Sequence, residues 1–255
     1  MNRFLKGAMI LTIAGVIVKI IGAFSKVLVA RILGGEGIGL YMMAYPIYQI
    51  IVRISAAGIP VAISIMIAEK LANRDMRGVQ QVFNVSLRVL TLVGIIFSVG
   101  LYASAEWLIK WNIITDPRAL IPIQLLSPAI IVVTILSCFR GYFQGFQYMV
   151  PTGTSQVFEQ IFRVGSMVGL AYYFIDSGLH LAAGGATFAT FPGVLAGLIV
   201  LVYFYRSQRS LRQQMLSEQN EEAPIERTSA VIKRLFALAI PVSMANIMLP
   251  MVSLI

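Results

Sequence analysis

The chain has 255 residues, of which 58% are hydrophobic and only 12% are charged, and its mean hydropathy is +0.83. Soluble domains carry about 25% charged residues, so this composition excludes an ordinary soluble protein and predicts a membrane protein. One cysteine and one histidine predict neither a disulfide nor a metal site, and no cofactor. The sequence contains no nucleophile–base pair, acidic dyad or phosphate loop, so it does not predict an enzyme.

Hydropathy predicts an all-α integral membrane protein in which six spans are followed by the start of a seventh. The first span covers residues 8–33, which is long enough to cross a bilayer with some tilt, and a tight turn follows at residues 34–39. Polar loops are expected at residues 69–81, 106–118 and 140–148. The other spans are predicted at residues 40–68, 82–105, 119–139, 151–175, 183–205 and 235–255.

Three regions follow from these spans. Residues 1–205 are predicted to form a six-helix transmembrane lobe, and residues 206–234, rich in Ser, Gln and Glu, a cytoplasmic linker. Residues 235–255 read as the first helix of a second lobe. Because the sequence ends inside this apolar segment, we expect the chain to be part of a longer transporter with two similar halves.

The positive residues predict the orientation of the chain in the membrane. Loops on one side hold only Lys110 and Arg118, whereas the N-terminal side holds most of the others, namely Arg3, Lys6, Lys70, Arg74, Arg77, Arg140, Arg206, Arg209, Arg212, Arg227, Lys233 and Arg234. Positive loops stay in the cytoplasm, so we expect a multi-pass protein of the bacterial plasma membrane with a cytoplasmic N-terminus. The net charge of +9 then reflects topology, and we expect no nucleic-acid partner.

Several cations fall within the predicted spans. Lys19 and Lys26 are seven residues apart and therefore lie on nearly one face of a helix. Arg53 and Arg163 fall near the middle of two other spans. A cation at this depth costs roughly 2.5–3.5 kcal/mol unless it faces a wet cavity or a partner. Glu159 precedes Arg163 by four residues, so Arg163 belongs either to a structural ion pair or to a cavity.

The charges at membrane depth predict the charge of the cargo. Glu159 is the one acidic residue in the predicted spans, against the basic residues Lys19, Lys26, Arg53, Arg88 and Arg163, with Arg31 at the outer end of the first span. A site for organic cations, Na⁺ or protons would need carboxylates at this depth. The excess of arginine and lysine instead favours phosphate or pyrophosphate, which guanidinium groups bind with two parallel hydrogen bonds.

Four segments carry a family resemblance: FLKGAMILTIAG (residues 4–15), KVLVARILGGEGIGLYMMAYPIYQ (26–49), AAGIPVAISIMIAEKLA (56–72) and RGYFQGFQYMVPTGTSQVFEQIFRV (140–164). The most specific part is GGEGIGLYMM followed by IPVAIS. These segments resemble the stage V sporulation protein B group, in the polysaccharide-exporter branch of the MOP (multidrug/oligosaccharidyl-lipid/polysaccharide) flippase superfamily. The resemblance is close over residues 4–175.

The resemblance implies two six-helix lobes that face a central cavity and alternate between inward-open and outward-open forms. It implies translocation of an undecaprenyl-pyrophosphate-linked saccharide such as lipid II, so the expected partners are this lipid and the membrane lipids. In the family, basic residues of the first two helices line the cavity. Lys19 and Arg53 match those places, whereas Lys26 stands where the family pattern is less regular.

Two other functions remain open at this stage. A multidrug antiporter of the same superfamily would need membrane carboxylates, of which the predicted spans contain only Glu159. A non-transporting scaffold could recruit cell-wall synthesis proteins through residues 206–234.

Overall fold

The computed structural model describes residues 3–56, 58–217 and 226–252, and over these ranges the chain is all-helical, without a strand. An apolar chain in lipid must satisfy its backbone hydrogen bonds internally, which helices achieve. The predicted fold class is confirmed. The helices are α1 (Arg3–Ala56), α2 (Ile59–Ala72), α3 (Met76–Lys110), α4 (Leu120–Gly145), α5 (Val150–Phe174), α6 (Leu179–Phe188), α7 (Thr190–Ser207), α8 (Arg209–Ser217) and α9 (Thr228–Val252).

Helix α1 contains the first predicted span, residues 8–33, and the first part of the second, residues 40–68. The tight turn predicted at residues 34–39 is wrong in extent, because Gly34 alone leaves the helical conformation, at φ 65° and ψ −174°. A side chain at this positive φ would be strained, so glycine allows the chain to reverse here. The two arms, residues 3–33 and 35–56, fold against each other, since Val29 and Tyr41 line the same small cavity.

The second predicted span, residues 40–68, is broken between α1 and α2. Pro60 occupies the first turn of α2, where its missing N–H costs no hydrogen bond. The Gly58 N–H donates to Ser243 Oγ of α9 at 3.0 Å. A Cβ at Gly58 would lie only 2.1 Å from the Ala239 carbonyl oxygen, so only glycine allows α9 to pack this closely.

Several predicted loops are shorter than expected because the helices continue beyond their apolar parts. The loop predicted at residues 69–81 is reduced to residues 73–75, and α3 continues to Lys110. Most of the loop predicted at residues 140–148 is wrong, because α4 continues to Gly145 and therefore includes Arg140. The sixth predicted span is divided at Ala189 into α6 and α7.

The predicted linker also contains helix. Helix α8 lies inside residues 206–234, and α9 begins at Thr228 rather than at residue 235. Residues 218–225 of the predicted linker and 253–255 of the predicted seventh span lie outside the described residues.

Within the described residues, five helical stretches are long and apolar enough to cross a membrane, and the first of them contains both arms of α1 together with α2. They are Leu5–Ala72, Met76–Lys110, Pro117–Gly145, Leu179–Ser207 and Thr228–Ala245. Helix α5 has 25 residues, about 37 Å at 1.5 Å per residue, but it is too polar to be among them. It packs against α1, α6 and α7, so its polar groups lie inside the bundle.

Helix α4 is the centre of the bundle and contacts α1, α2, α3, α6 and α7. Its buried residues Ile123, Leu126 and Ile130 belong to one hydrophobic core, and Leu136 and Phe143 to a second core nearer its C-terminal end. Large apolar side chains on outer faces, such as Ile96 and Val99 of α3, are 60% exposed, as expected for helices in lipid. The protein is a multi-pass membrane protein.

Candidate functional site

The main candidate site is an open cavity of about 360 Å³ between the second arm of α1, α4 and α5. We call it the arginine cavity. Its volume falls in the range of small-molecule sites, roughly 300–1,000 Å³. Its wall includes Tyr45, Tyr48, Gln49, Arg53, Ser137, Arg140, Glu159 and Arg163. Predicted site residues Arg53 and Arg163, from different helices, thus meet in one place.

Glu159 is held by two arginines. Arg140 Nη2 donates to Glu159 Oε2 at 2.8 Å, and Arg163 Nη1 lies 3.8 Å from Oε1. The three side chains retain only 16–20% of their exposure. The predicted Glu159–Arg163 ion pair is present, but Arg140 is the nearer partner of the carboxylate. Sequence reasoning missed Arg140 because it placed this residue in a loop.

Neighbouring polar groups position both arginines further. Arg140 Nη2 also lies 3.3 Å from Ser155 Oγ, and Arg163 donates to Gln160 Oε1. Gln160 is only 3% exposed. A planar guanidinium held by two or more partners keeps a fixed orientation, with its remaining N–H groups free to donate to a ligand.

The arginine cavity carries a positive excess. Three guanidinium groups and one carboxylate line it, and no second carboxylate lines it among the described residues. Arg53 forms no ion pair within residues 3–56, 58–217 and 226–252. Arg53 is therefore the cation in this cavity with the most capacity left for a ligand, because structural partners do not occupy it.

A second, smaller cavity of about 180 Å³ lies between the two arms of α1 and α5, and Lys26 lines it. We call it the lysine cavity. Tyr45, Gln49 and Arg163 line both cavities, so the two are adjoining. The structure therefore brings Lys26, Arg53 and Arg163 to these two adjoining cavities, which we together call the groove.

Lys19 lies outside this groove. It occupies the same face of α1 as Gly22 and Lys26, and this face is turned towards α5, because a Cβ at Gly22 would lie 3.1 Å from Gln160 Nε2. The Lys19 side chain is exposed and lines neither cavity.

A row of tyrosines along the second arm of α1 was not singled out from the sequence. The Tyr41 and Tyr45 rings stack with centroids 5.2 Å apart, and the Tyr45 and Tyr48 centroids are 5.9 Å apart. Tyr45 lines both cavities. The three tyrosines are spaced four and three residues apart, which places them on one face of a helix. This spacing is the signal in the sequence that could have identified the row.

Comparison with solved structures identifies the fold. The chain superposes on an outward-facing multidrug resistance MATE family transporter of the MOP superfamily with a TM-score of 0.78 at 15% identity. The match covers 96% of this chain and 52% of that chain. At this identity the likeness shows the fold alone, which is the MOP transporter fold implied by the sequence resemblance.

Sequence relatives identify the family. Stage V sporulation protein B of Bacillus subtilis (strain 168) is 34% identical over 211 residues, covering 83% of this chain and 40% of that protein. The lipid II flippase MurJ of the same organism is 26% identical over 260 residues, covering 98% and 48%. This chain thus spans about half the length of these curated relatives. The polysaccharide biosynthesis protein family model matches residues 4–252, and the chain belongs to this family.

Proposed function

We propose that the protein is a flippase that moves an undecaprenyl-pyrophosphate-linked saccharide, lipid II or a related precursor, across the bacterial plasma membrane by alternating access. The observation that carries the proposal is the arginine cavity, in which three guanidinium groups face a single carboxylate. The similarity to a protein named as a lipid II flippase supports the same substrate class.

Different residues in and beside the groove bind different parts of the cargo. Arg53, which has no ion-pair partner in the described chain, binds pyrophosphate oxygens with charge-assisted hydrogen bonds. Lys26 adds a point charge from the lysine cavity, and Lys19 extends the positive face of α1 beyond it. Arg163 and Arg140 are oriented by Glu159. Tyr45 and Tyr48 offer ring faces and hydroxyls to the saccharide.

Multidrug antiport is the second candidate, because solved MATE transporters share the fold. Binding of an organic cation requires a carboxylate with free acceptor capacity in the cavity. The lining carboxylate, Glu159, already accepts from Arg140 and has Arg163 beside it. The charge of the groove therefore favours an anionic cargo over a cationic drug.

The function is tested by complementation. Expressed from its own gene, the protein should sustain growth of a bacterial strain depleted of its lipid II flippases. Lys26→Met should reduce complementation at least about tenfold, because it removes the ammonium from the groove while the side chain keeps its length and apolar stem. Growth after depletion is the readout, with the amount of membrane protein checked by blot.

Lys19→Met is the matched comparison, since it removes the same charge from the same helix face outside both cavities. We expect a smaller loss than for Lys26→Met. Lys26→Arg should retain activity because it keeps the charge. Full growth with the double variant Lys26→Met/Lys19→Met would contradict an anionic cargo. It would favour the non-transporting scaffold function instead.

We propose that the N-terminus is cytoplasmic, as the positive residues indicate. Single cysteines replacing the exposed residues Arg74 and Arg209 should react with a membrane-impermeant maleimide only after the cells are opened. A cysteine replacing Asp176, between α5 and α6, should react in intact cells. The native Cys138 is fully buried, so it provides a silent background. Labelling of positions 74 and 176 from the same side would refute the topology.

A further inference from the structure

A third cavity lies near the C-terminal end of α4, where α3, α4, α7 and α8 meet. Its volume is about 410 Å³, and we call it the interfacial cavity. It shares no lining residue with the arginine or lysine cavity. The residues that matter for its chemistry are Phe83, Tyr142, Tyr205, Arg206, Arg209 and Arg212.

The rim of the interfacial cavity is basic. Arg206, Arg209 and Arg212 line it, and no carboxylate lines it among the described residues. Arg206 and Arg209 are exposed and form no ion pair within the described part of the chain. Three guanidinium groups that line one cavity without a carboxylate among the described residues repel one another, so an anion bound between them would lower the energy of the site.

Arg212 shows how this rim is organised. Its guanidinium carbon lies 3.7 Å from the centroid of the Tyr205 ring, and its Nη1 donates to the Tyr205 carbonyl oxygen. That contact satisfies a carbonyl in the last turn of α7, a structural role. It also leaves most of the five guanidinium N–H donors available to a ligand.

The floor of the interfacial cavity is aromatic and largely buried. Phe83 and Tyr142 are each 2% exposed, and the Tyr205 ring stacks on Phe83 with centroids 4.9 Å apart. The Tyr142 hydroxyl is buried and, apart from the nearby Arg212 guanidinium, has no hydrogen-bond partner in the described structure. Buried polar groups are nearly always paired, and a guanidinium can only donate, so a buried hydroxyl proton without an acceptor indicates a ligand that accepts hydrogen bonds.

The position and composition of helix α8 indicate that this cavity lies at the depth of the lipid headgroups. It follows α7, the end of a membrane-crossing stretch, with one residue between them. On its outer side Leu211 is 52% exposed and Met215 37%, whereas Arg212 and Leu216 line the cavity. A short basic helix with exposed apolar residues directly after a span is typical of a helix lying in the membrane interface.

We propose that the interfacial cavity binds the phosphate headgroup of an anionic phospholipid. The phosphate oxygens accept from Arg206, Arg209 and the free N–H groups of Arg212, and the glycerol backbone lies on the aromatic floor, within reach of the Tyr142 hydroxyl. A free phosphate ion would leave this apolar floor in contact with water. Basic pockets of this kind between membrane helices recognise anionic lipid headgroups.

The test uses the purified full chain and native mass spectrometry with phosphatidylglycerol and phosphatidylcholine as probes. The wild type should retain phosphatidylglycerol in preference to phosphatidylcholine. The double variant R206Q/R209Q should bind phosphatidylglycerol at least about tenfold more weakly, because each basic residue at a membrane surface contributes roughly 1 kcal/mol. Tyr142→Phe, which keeps the ring and removes only the hydroxyl, should weaken binding a few-fold.

The matched control is R227Q/K233Q, which removes two positive charges from exposed positions on α9 and just before it, outside the cavity. It should bind phosphatidylglycerol as the wild type does. If the two double variants weaken phosphatidylglycerol binding equally, the effect depends only on the net charge of the protein, and the proposal is overturned. Displacement of the lipid by inorganic phosphate at millimolar concentration would overturn the lipid assignment. Unchanged binding in R206Q/R209Q would refute the site itself.

Discussion

Glu159→Gln is expected to lower the free energy of unfolding by about 3 kcal/mol, at the lower end for a broken buried ion pair. The change leaves Arg140 and Arg163, which are 17% and 20% exposed, facing each other without the carboxylate between them. In a chain of this size the melting temperature should fall by roughly 6–12 °C. Thermal unfolding of the detergent-purified protein, followed by circular dichroism, measures the loss.

Second-site variants show whether Glu159 is coupled more strongly to Arg140 or to Arg163. Arg140→Gln on the Glu159→Gln background should recover more stability than Arg163→Gln, because Arg140 lies 2.8 Å from Glu159 and Arg163 3.8 Å. A double-mutant cycle separates this coupling from the effect of each single change. A larger recovery of stability with Arg163→Gln would mean that the Glu159–Arg163 pair, which the sequence predicts, is the stronger one. If Glu159→Gln alone does not lower the free energy of unfolding, the ion pairs of Glu159 do not stabilise the fold.

Arg53→Gln is expected to abolish translocation while leaving the fold intact. Arg53 has no ion-pair partner in the described residues, so its removal breaks no structural contact of that kind and relieves the cost of a cation at membrane depth. Removing a desolvated partner of a bound charge costs about 2–5 kcal/mol, which is roughly 30-fold or more in cargo affinity. Complementation of the flippase-depleted strain measures the loss, with thermal unfolding as the check on the fold.

Two variants control this prediction. Arg88→Gln removes an arginine from α3, where the side chain is exposed and lines neither the arginine nor the lysine cavity, and it should complement like the wild type. Arg53→Lys keeps the charge but loses the two-pronged geometry, so it should retain partial activity. Full complementation by Arg53→Gln would remove Arg53 from the cargo site.

Hydropathy predicted the membrane character and the positions of most helices because these depend on local composition. It failed where a single residue or a tertiary contact decides the backbone. Gly34 reverses α1 alone, although five further residues resembled a turn. Helix α4 continues to Gly145 through most of the loop predicted at residues 140–148, and its Arg140 contacts Glu159 of α5 there. The fifth predicted span, residues 151–175, matches α5, whose polar groups are surrounded by other helices.

The site was predicted as far as its charges could be counted. Arg53, Arg163 and Lys26 were identified because a cation inside an apolar run is costly and therefore visible in the sequence. Arg140 was missed because its contact with Glu159 spans 19 positions, and a pattern confined to one helix shows only neighbours three or four residues apart. Lys19 satisfies the same sequence criterion as Lys26, and only the structure separates them, because Lys26 lines the lysine cavity and Lys19 lines neither cavity.

We propose that the groove recognises the pyrophosphate of a lipid-linked cargo. The most direct measurement is binding of undecaprenyl pyrophosphate and of the neutral alcohol undecaprenol to the purified protein in nanodiscs, for the wild type and Arg53→Gln. The wild type should bind the pyrophosphate lipid at least about tenfold more tightly than the alcohol, and Arg53→Gln should remove most of this preference. Equal affinity of the wild type for the two lipids would contradict the proposal.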